Sequence, residues 1–177
     1  MTTRPRQSAS LRARIGPHCG PMMSSGQFHG QIHASCAARP GAETLAPAAL
    51  LLGPPGAGKS DLLLRLLDRG FRLVADDCVE IDGDIARPPA ALAGLLEVRG
   101  LGILRLDHLP EARLALAVEL GPVPPGSAGR LPEPSRHPAL GLPLVRIDPA
   151  AASAAARVAI ALDCATGRTA QLAGAFA

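Results

Sequence analysis

One stretch constrains the fold of this chain more than any other: LLGPPGAGKSDLLLRLLDRG, residues 51–70. Within it Gly53, Pro54, Pro55, Gly56, Ala57, Gly58, Lys59 and Ser60 fit the spacing G-x-x-x-x-G-K-[ST]. That pattern has meaning only between a buried strand and a helix, and both flanks comply. AALLLG ahead of it is a short apolar run, and Leu62, Leu63, Leu66 and Leu67 behind it recur at helical spacing up to the stop at Gly70. The glycines let backbone N–H groups turn inward around phosphate oxygens, and the helix N-terminus adds partial positive charge. Lys59 is placed to reach the β- and γ-phosphates, and the Ser60 hydroxyl to coordinate Mg²⁺.

Composition sharpens this reading. Lys59 is the only lysine of the 177 residues; every other strongly basic side chain is arginine. The net charge of +3 comes from Arg4, Arg6, Arg12 and Arg14, in an opening stretch without an acidic residue. The rest is close to neutral, so a basic face for nucleic acid is not expected, and with no Trp or Tyr there is little to stack on bases. Residues 1–30, rich in Ser, Pro, Gly and Gln, read as a disordered basic extension without the apolar core of a secretory signal. Residues 31–177 read as one domain. Cys19, Cys36, Cys78 and Cys164 are scattered, with no metal-ligand spacing, and no run is long enough to span a membrane. A cytoplasmic protein with reduced thiols is expected.

The remaining pattern is strand-heavy. QIHASCAA (residues 31–38), AALLLG, FRLVAD and ARLALAVEL (Ala112–Leu120) predict strands. CVEIDGDIARP predicts a hairpin turning at Asp82-Gly83, and LLEVRGLGILRL two short strands about a glycine-rich turn. DPAAASAAARVAIAL predicts a closing helix with Asp148 as N-cap and Pro149 at its first helical position. Hairpins mixed with a strand–helix unit favour an α/β fold with a mixed sheet.

A phosphate cradle also needs acids. Asp76 and Asp77 end the apolar strand RLVA, where one carboxylate can orient Mg²⁺ or its water and the other accept a proton from an attacking hydroxyl. Glu97 and Arg99, two apart, share a strand face. Glu97 is a candidate metal ligand beside Ser60 and Asp76, and Arg99 a candidate to neutralise charge on the transferred group.

These three pieces together resemble one family. The loop GPPGAGKS, then LVADD, then EVRGLGI make the chain similar to the catalytic domain of bacterial HPr kinase/phosphorylase, in the short form that lacks the N-terminal regulatory domain. The resemblance covers roughly residues 31–163. It implies a P-loop domain of the phosphoenolpyruvate carboxykinase-like type, with a mixed sheet and flanking helices. It implies ATP- and Mg²⁺-dependent phosphorylation of a serine on HPr, the phosphocarrier of the phosphotransferase system. It also implies phosphorolytic removal of that phosphate, and a homo-oligomer, hexameric in full-length relatives. By position His33 matches the catalytic histidine, Lys59 and Ser60 the phosphate lysine and metal-binding hydroxyl, Asp77 the acid/base with Asp76 beside it, Glu97 the second metal ligand, and Arg130 a catalytic arginine.

Departures from the family pattern are specific. Pro55 stands where Ser is usual and Asp61 where many members have Glu. The loop expected to read P-V-R-P-G-R is LPLVRIDP and keeps only Arg146, with Asp148 two residues on. A kinase with weak phosphorolysis is therefore expected. The competing readings are a P-loop kinase of a small metabolite, in which EVRGLGI has no role, and an ATP-sensing regulator, which three retained acids disfavour.

Overall fold

Eleven strands, two α-helices and a short 3-10 helix (Ala90–Leu92) make up the described part of the computed structural model, which comprises residues 22–24, 27–122 and 131–177. In chain order these are β1 (Met22–Ser24), β2 (Gln27–Ile32), β3 (Ala34–Ala38), β4 (Pro47–Leu52), α1 (Lys59–Asp68), β5 (Arg72–Ala75), β6 (Val79–Asp82), β7 (Ile85–Arg87), β8 (Leu95–Val98), β9 (Gly102–Arg105), β10 (Ala112–Leu120), β11 (Leu144–Ile147) and α2 (Ala154–Ala165).

Nine strands form one mixed sheet in the order β1-β2-β6-β7-β10-β4-β3-β5, with β11 parallel to the end of β10. β4 and β10 are parallel, and β3 lies antiparallel between β4 and β5. These central strands are almost wholly apolar because both faces are covered. On one face Ala49 and Leu51 of β4 meet Leu62, Leu63 and Leu66 of α1 and Val158 and Leu162 of α2. On the other, Ala48 and Leu50 meet Phe28, Val79, Ile81 and Ala86, because the sheet folds back and sets β6 against β3. β10 serves both cores. Unbroken alternation would put Leu114 and Leu116 on one face, but the register shifts between them, so Leu114 joins one core and Leu116 the other.

α1 runs over the expected residues and ends where Gly70 adopts φ +82°. The Phe71 N–H bonds the Leu66 carbonyl and the Gly70 N–H that of Leu67, a Schellman stop sealed by Phe71 against Leu66 in the core. β4, β5, β10 and the β8–β9 hairpin also lie where the sequence puts them.

Four expectations need correction. The first strand starts at Gln27, not Gln31, and breaks at His33 into β2, which pairs with β6, and β3, which pairs with β4 and β5. The end of the expected extension is therefore part of the fold: Phe28 is buried in the second core. Residues 1–21, 25 and 26 of that extension lie outside the described residues. The β6–β7 turn is Gly83-Asp84, because Asp82 pairs with Ile85; Gly83 takes the left-handed first position at φ +65°. α2 begins at Ala154 with Ser153 as N-cap. Asp148 instead accepts the Ala150 N–H in a tight turn, and Arg65 of α1 bonds the carbonyls of Pro149 and Ala151, holding residues 148–153 out of the helix. Arg99 follows β8 in the three-residue turn to β9 rather than lying on the strand.

Phe28→Ala is expected to lower stability by about 3 kcal/mol, the cost of emptying a buried aromatic site. Urea unfolding checks this, and a loss below about 1 kcal/mol would show that β2 does not anchor the second core.

Candidate active site

The loop between β4 and α1 is built on a hydrogen-bonded turn. Pro55 occupies its second position, Gly56 the third with φ +83°, and the Ala57 N–H bonds the Pro54 carbonyl. This is the backbone of a type II turn, for which Pro then Gly is the favoured pair, so the departure at Pro55 suits the loop's own geometry. Gly58, left-handed at φ +85°, is the N-cap of α1 and offers no side chain to occupy the first-turn N–H groups. That leaves a helix N-terminus suited to an anion. Gly53 sits so close to Ala57 and the end of β10 that an added Cβ would stand 3.0 Å from the Ala57 Cβ.

Lys59 is buried, yet its ammonium is fully engaged. Nζ donates to the carbonyl oxygens of Gly53 (2.9 Å) and Pro54 (3.1 Å) and lies 3.0 Å from Nε2 of His33. The other ring nitrogen, Nδ1, is 2.8 Å from the Asp77 carbonyl oxygen and 3.2 Å from Asp77 Oδ1. The tautomer that satisfies both ends carries its proton on Nδ1, donating to Asp77, with Nε2 accepting from Lys59. The phosphate lysine and the candidate base are thus joined through one imidazole.

Asp77 is itself unusual. It is the only described non-glycine residue with positive φ (+67°), and the Cys78 N–H bonds the Asp76 carbonyl across it at 2.9 Å. Such a γ-turn is rare and strained, of the kind that persists where surrounding contacts over-determine it. The turn separates two neighbouring carboxylates into different surroundings. Asp77 is partly exposed in the cleft; Asp76 is buried, and its Oδ1 accepts the hydroxyls of Ser35 (2.6 Å) and Ser60 (3.0 Å). Burial raises the Asp76 pKa above the ordinary carboxylate value, against the lowering effect of those two donors and of the Asp77 backbone N–H.

A cleft of about 590 Å³ gathers these groups: His33, Lys59, Ser60, Asp76 and Asp77 on one side, and Glu97 and Arg99 from the β8–β9 hairpin on the other, with Leu64, Leu92, Leu95 and Val98 as apolar wall. Sequence-chosen residues from four separate segments meet there. Of the loop, Gly56 and Gly58 line it, Gly53 and Pro54 reach it through Lys59, and Ala57 packs on the core. Arg130 lies outside the described residues. Arg146 makes a two-bond pair with Glu119, its direct neighbour on β10 (2.6 and 3.1 Å), and does not line the cleft.

Sequence reasoning missed Ser35. The signal was there: it is the one polar residue of β3, two positions after His33 in the chain. Among the described residues no three His, Cys, Asp or Glu side chains form a complete metal cage. Ser60, Asp76 and Glu97 line the same cleft and offer oxygen atoms of the kind a hard cation such as Mg²⁺ takes.

Comparison with known proteins agrees with the fold. The fold and cleft define a P-loop domain. The family model described as HPr Serine kinase C-terminal domain matches residues 45–112 of the chain. The HPr kinase/phosphorylase of Geobacillus thermodenitrificans is 43% identical over 83 residues, 40% of this chain and 27% of the relative. That of Burkholderia cenocepacia is 40% identical over 111 residues, 55% of this chain and 34% of the relative. The chain therefore spans about a quarter to a third of the length of these relatives. The HPr(Ser) kinase/phosphatase structure from Coxiella burnetii shares the fold, with a TM-score of 0.54 at 20% identity, covering 78% of this chain and 90% of that one. No described helix is long and apolar enough to cross a membrane.

Because Asp76 is harder to ionise when folded, its charge lowers stability at neutral pH; the penalty disappears below its unfolded pKa and is fully felt above its folded one. Asp76→Asn is expected to raise the melting temperature of the unliganded protein at pH 7, by about 2–4 °C per kcal/mol recovered. The gain should shrink as pH falls and the parent carboxyl becomes neutral too. Melts across a pH series test this, and a mutant less stable than the parent at pH 7 contradicts it.

Proposed function

We propose that this chain transfers the γ-phosphoryl group of ATP to a serine hydroxyl of HPr or an HPr-like phosphocarrier, with Mg²⁺ as cofactor. The observation that carries the reading is the convergence of the Lys59 loop, the Asp76-Asp77 strand end and the Glu97-Arg99 hairpin on one cleft. The family match and the name shared by its relatives support it.

In this reading the α1 N-terminus and Lys59 hold the phosphates, Lys59 exchanging its present carbonyl and imidazole partners for phosphate oxygens. Asp77 takes the serine proton as the serine oxygen bonds to phosphorus and the β–γ bridging bond breaks, leaving ADP. His33 keeps the Asp77 turn in place. Ser60, Asp76 and Glu97 would hold Mg²⁺, which would supply charge neutralisation at the phosphates. Arg99 neutralises the moving group from the opposite wall. A substrate protein fits an open cleft whose far wall is a hairpin with Leu101 and Ile103 exposed. Phosphorolysis must bring inorganic phosphate beside phosphoserine, which demands extra positive charge. Arg146 is neutralised by Glu119, so the reverse reaction is expected to be weak. Assembly into a homo-oligomer is part of the same proposal by likeness to the family.

The decisive assay incubates the full chain with γ-labelled ATP, Mg²⁺ and HPr and follows label on serine. Lys59→Ala should cut the rate by about 10²–10³-fold, the loss typical of one stabilising donor. Asp77→Asn should suppress transfer while ATP binding, read by calorimetry, holds within about threefold, since the amide keeps the shape but not the basicity. No label on HPr from the parent, or more than about a tenth of parental activity in Lys59→Ala, overturns the assignment. Pyrophosphate release from phosphoseryl-HPr should be much slower than the kinase reaction.

A further inference from the structure

β3 presents one polar side chain in a run of Ala, Cys and Ala, and that side chain is fully buried. Ser35 is separated by one residue from His33, pairs with Leu51 of β4, and its hydroxyl meets Asp76 Oδ1 at 2.6 Å. A hydroxyl so placed is unfavourable unless paired, and here its partner is a carboxylate already bonded by the Ser60 hydroxyl at 3.0 Å. The geometry has a direct consequence for Ser60. A serine oxygen has one proton and two lone pairs. Donating the proton to Asp76 directs it inward and leaves the lone pairs for the cleft, as a cation ligand requires.

We propose that Ser35 is the positioning residue of the cation site: by fixing the Asp76 carboxylate from behind, it holds Oδ1 where Ser60 can give up its proton direction and present its lone pairs to Mg²⁺. The inference rests on the proposed role of Ser60 and Asp76 as cation ligands. It assigns Ser35 no contact with the reacting atoms. Asp76 has little else to orient it, since its other donor is the backbone N–H of Asp77 in the strained turn. Without Ser35 the carboxylate is free to rotate about its χ2 and to release Ser60. Outer partners of this kind commonly change metal affinity by about 10–100-fold on removal.

The test uses the full chain with ATP and no acceptor protein, and Mn²⁺ as the paramagnetic probe for the Mg²⁺ site. Free Mn²⁺ is read by electron paramagnetic resonance, and metal-free ATP binding is read separately in chelator. Three variants are compared: Ser35→Ala, and the shape-matched pair Ser35→Thr and Ser35→Val, which differ only by the hydroxyl. Ala and Val should retain Mn²⁺·ATP about tenfold more weakly than the parent, Thr within about twofold of it, and metal-free ATP binding should stay within about twofold throughout. If Val holds Mn²⁺ as well as Thr does, or if metal-free ATP binding falls by the same factor as Mn²⁺ retention, Ser35 is a packing residue and the proposal is wrong. Should Ala fail to fold, the Thr and Val pair decides alone. A parent that retains no Mn²⁺ with ATP overturns the cation site together with this role. A parent that retains Mn²⁺·ATP but does not label HPr removes the proposed substrate and leaves the Ser35 result standing.

Discussion

The arrangement of this site depends on where one ammonium group goes. Lys59 is buried in a chain that otherwise carries its positive charge on arginine, and a buried ammonium must find acceptors. It finds the Gly53 and Pro54 carbonyls, which closes the loop around it, and His33, which ties the loop to the Asp77 turn. An arginine could not make this pattern, because its planar fork cannot direct three donors at the corners of so small a space. The interaction therefore fixes the loop, the rotamer of His33 and the Asp77 turn together. In the proposed function a phosphate competes for the same ammonium, which couples occupancy of the cleft to release of His33.

Two neighbouring aspartates show how backbone conformation divides labour. In an ordinary strand Asp76 and Asp77 would alternate between faces and one would enter a core. The γ-turn at Asp77 instead keeps it in the cleft, while Asp76 turns toward Ser35 and Ser60. One carboxylate is buried and held by hydroxyls; the other is open to solvent and beside an imidazole. Such a split suits one for a cation and the other for a proton, and it costs stability at both positions, through burial of charge and backbone strain.

Much of this was legible in the chain because it is local. The apolar run, the glycine loop and the leucine spacing of α1 each specify β4, the turn and the helix without help from distant residues, and Gly70 ends the helix as read. What failed to be legible depended on partners far away. Asp148-Pro149 is a good helix start in isolation, but Arg65, more than eighty residues earlier, takes the carbonyls that would begin the helix. Residues 31–38 look like one alternating strand, but Gln31 and Ile32 pair with β6 and residues 34–38 with β4, so the chain breaks at His33. His33 itself is an ordinary strand histidine by pattern; only likeness to the family marked it. Ser35 carried a usable signal, a lone hydroxyl in an apolar strand beside that histidine.

The network from Lys59 through His33 to Asp77 is the physical centre of this account, and nitrogen NMR of the imidazole reads it directly. In the unliganded protein, at a pH where the ring is neutral, His33 should show a protonated Nδ1 and an unprotonated, hydrogen-bonded Nε2. Adding Mg²⁺ and a non-hydrolysable ATP analogue should shift the Nε2 resonance as Lys59 turns to phosphate, while Nδ1 stays protonated against Asp77. A ring protonated on Nε2 in the unliganded state, or an Nε2 resonance unmoved at saturating nucleotide, would contradict the link between the Lys59 loop and the Asp77 turn.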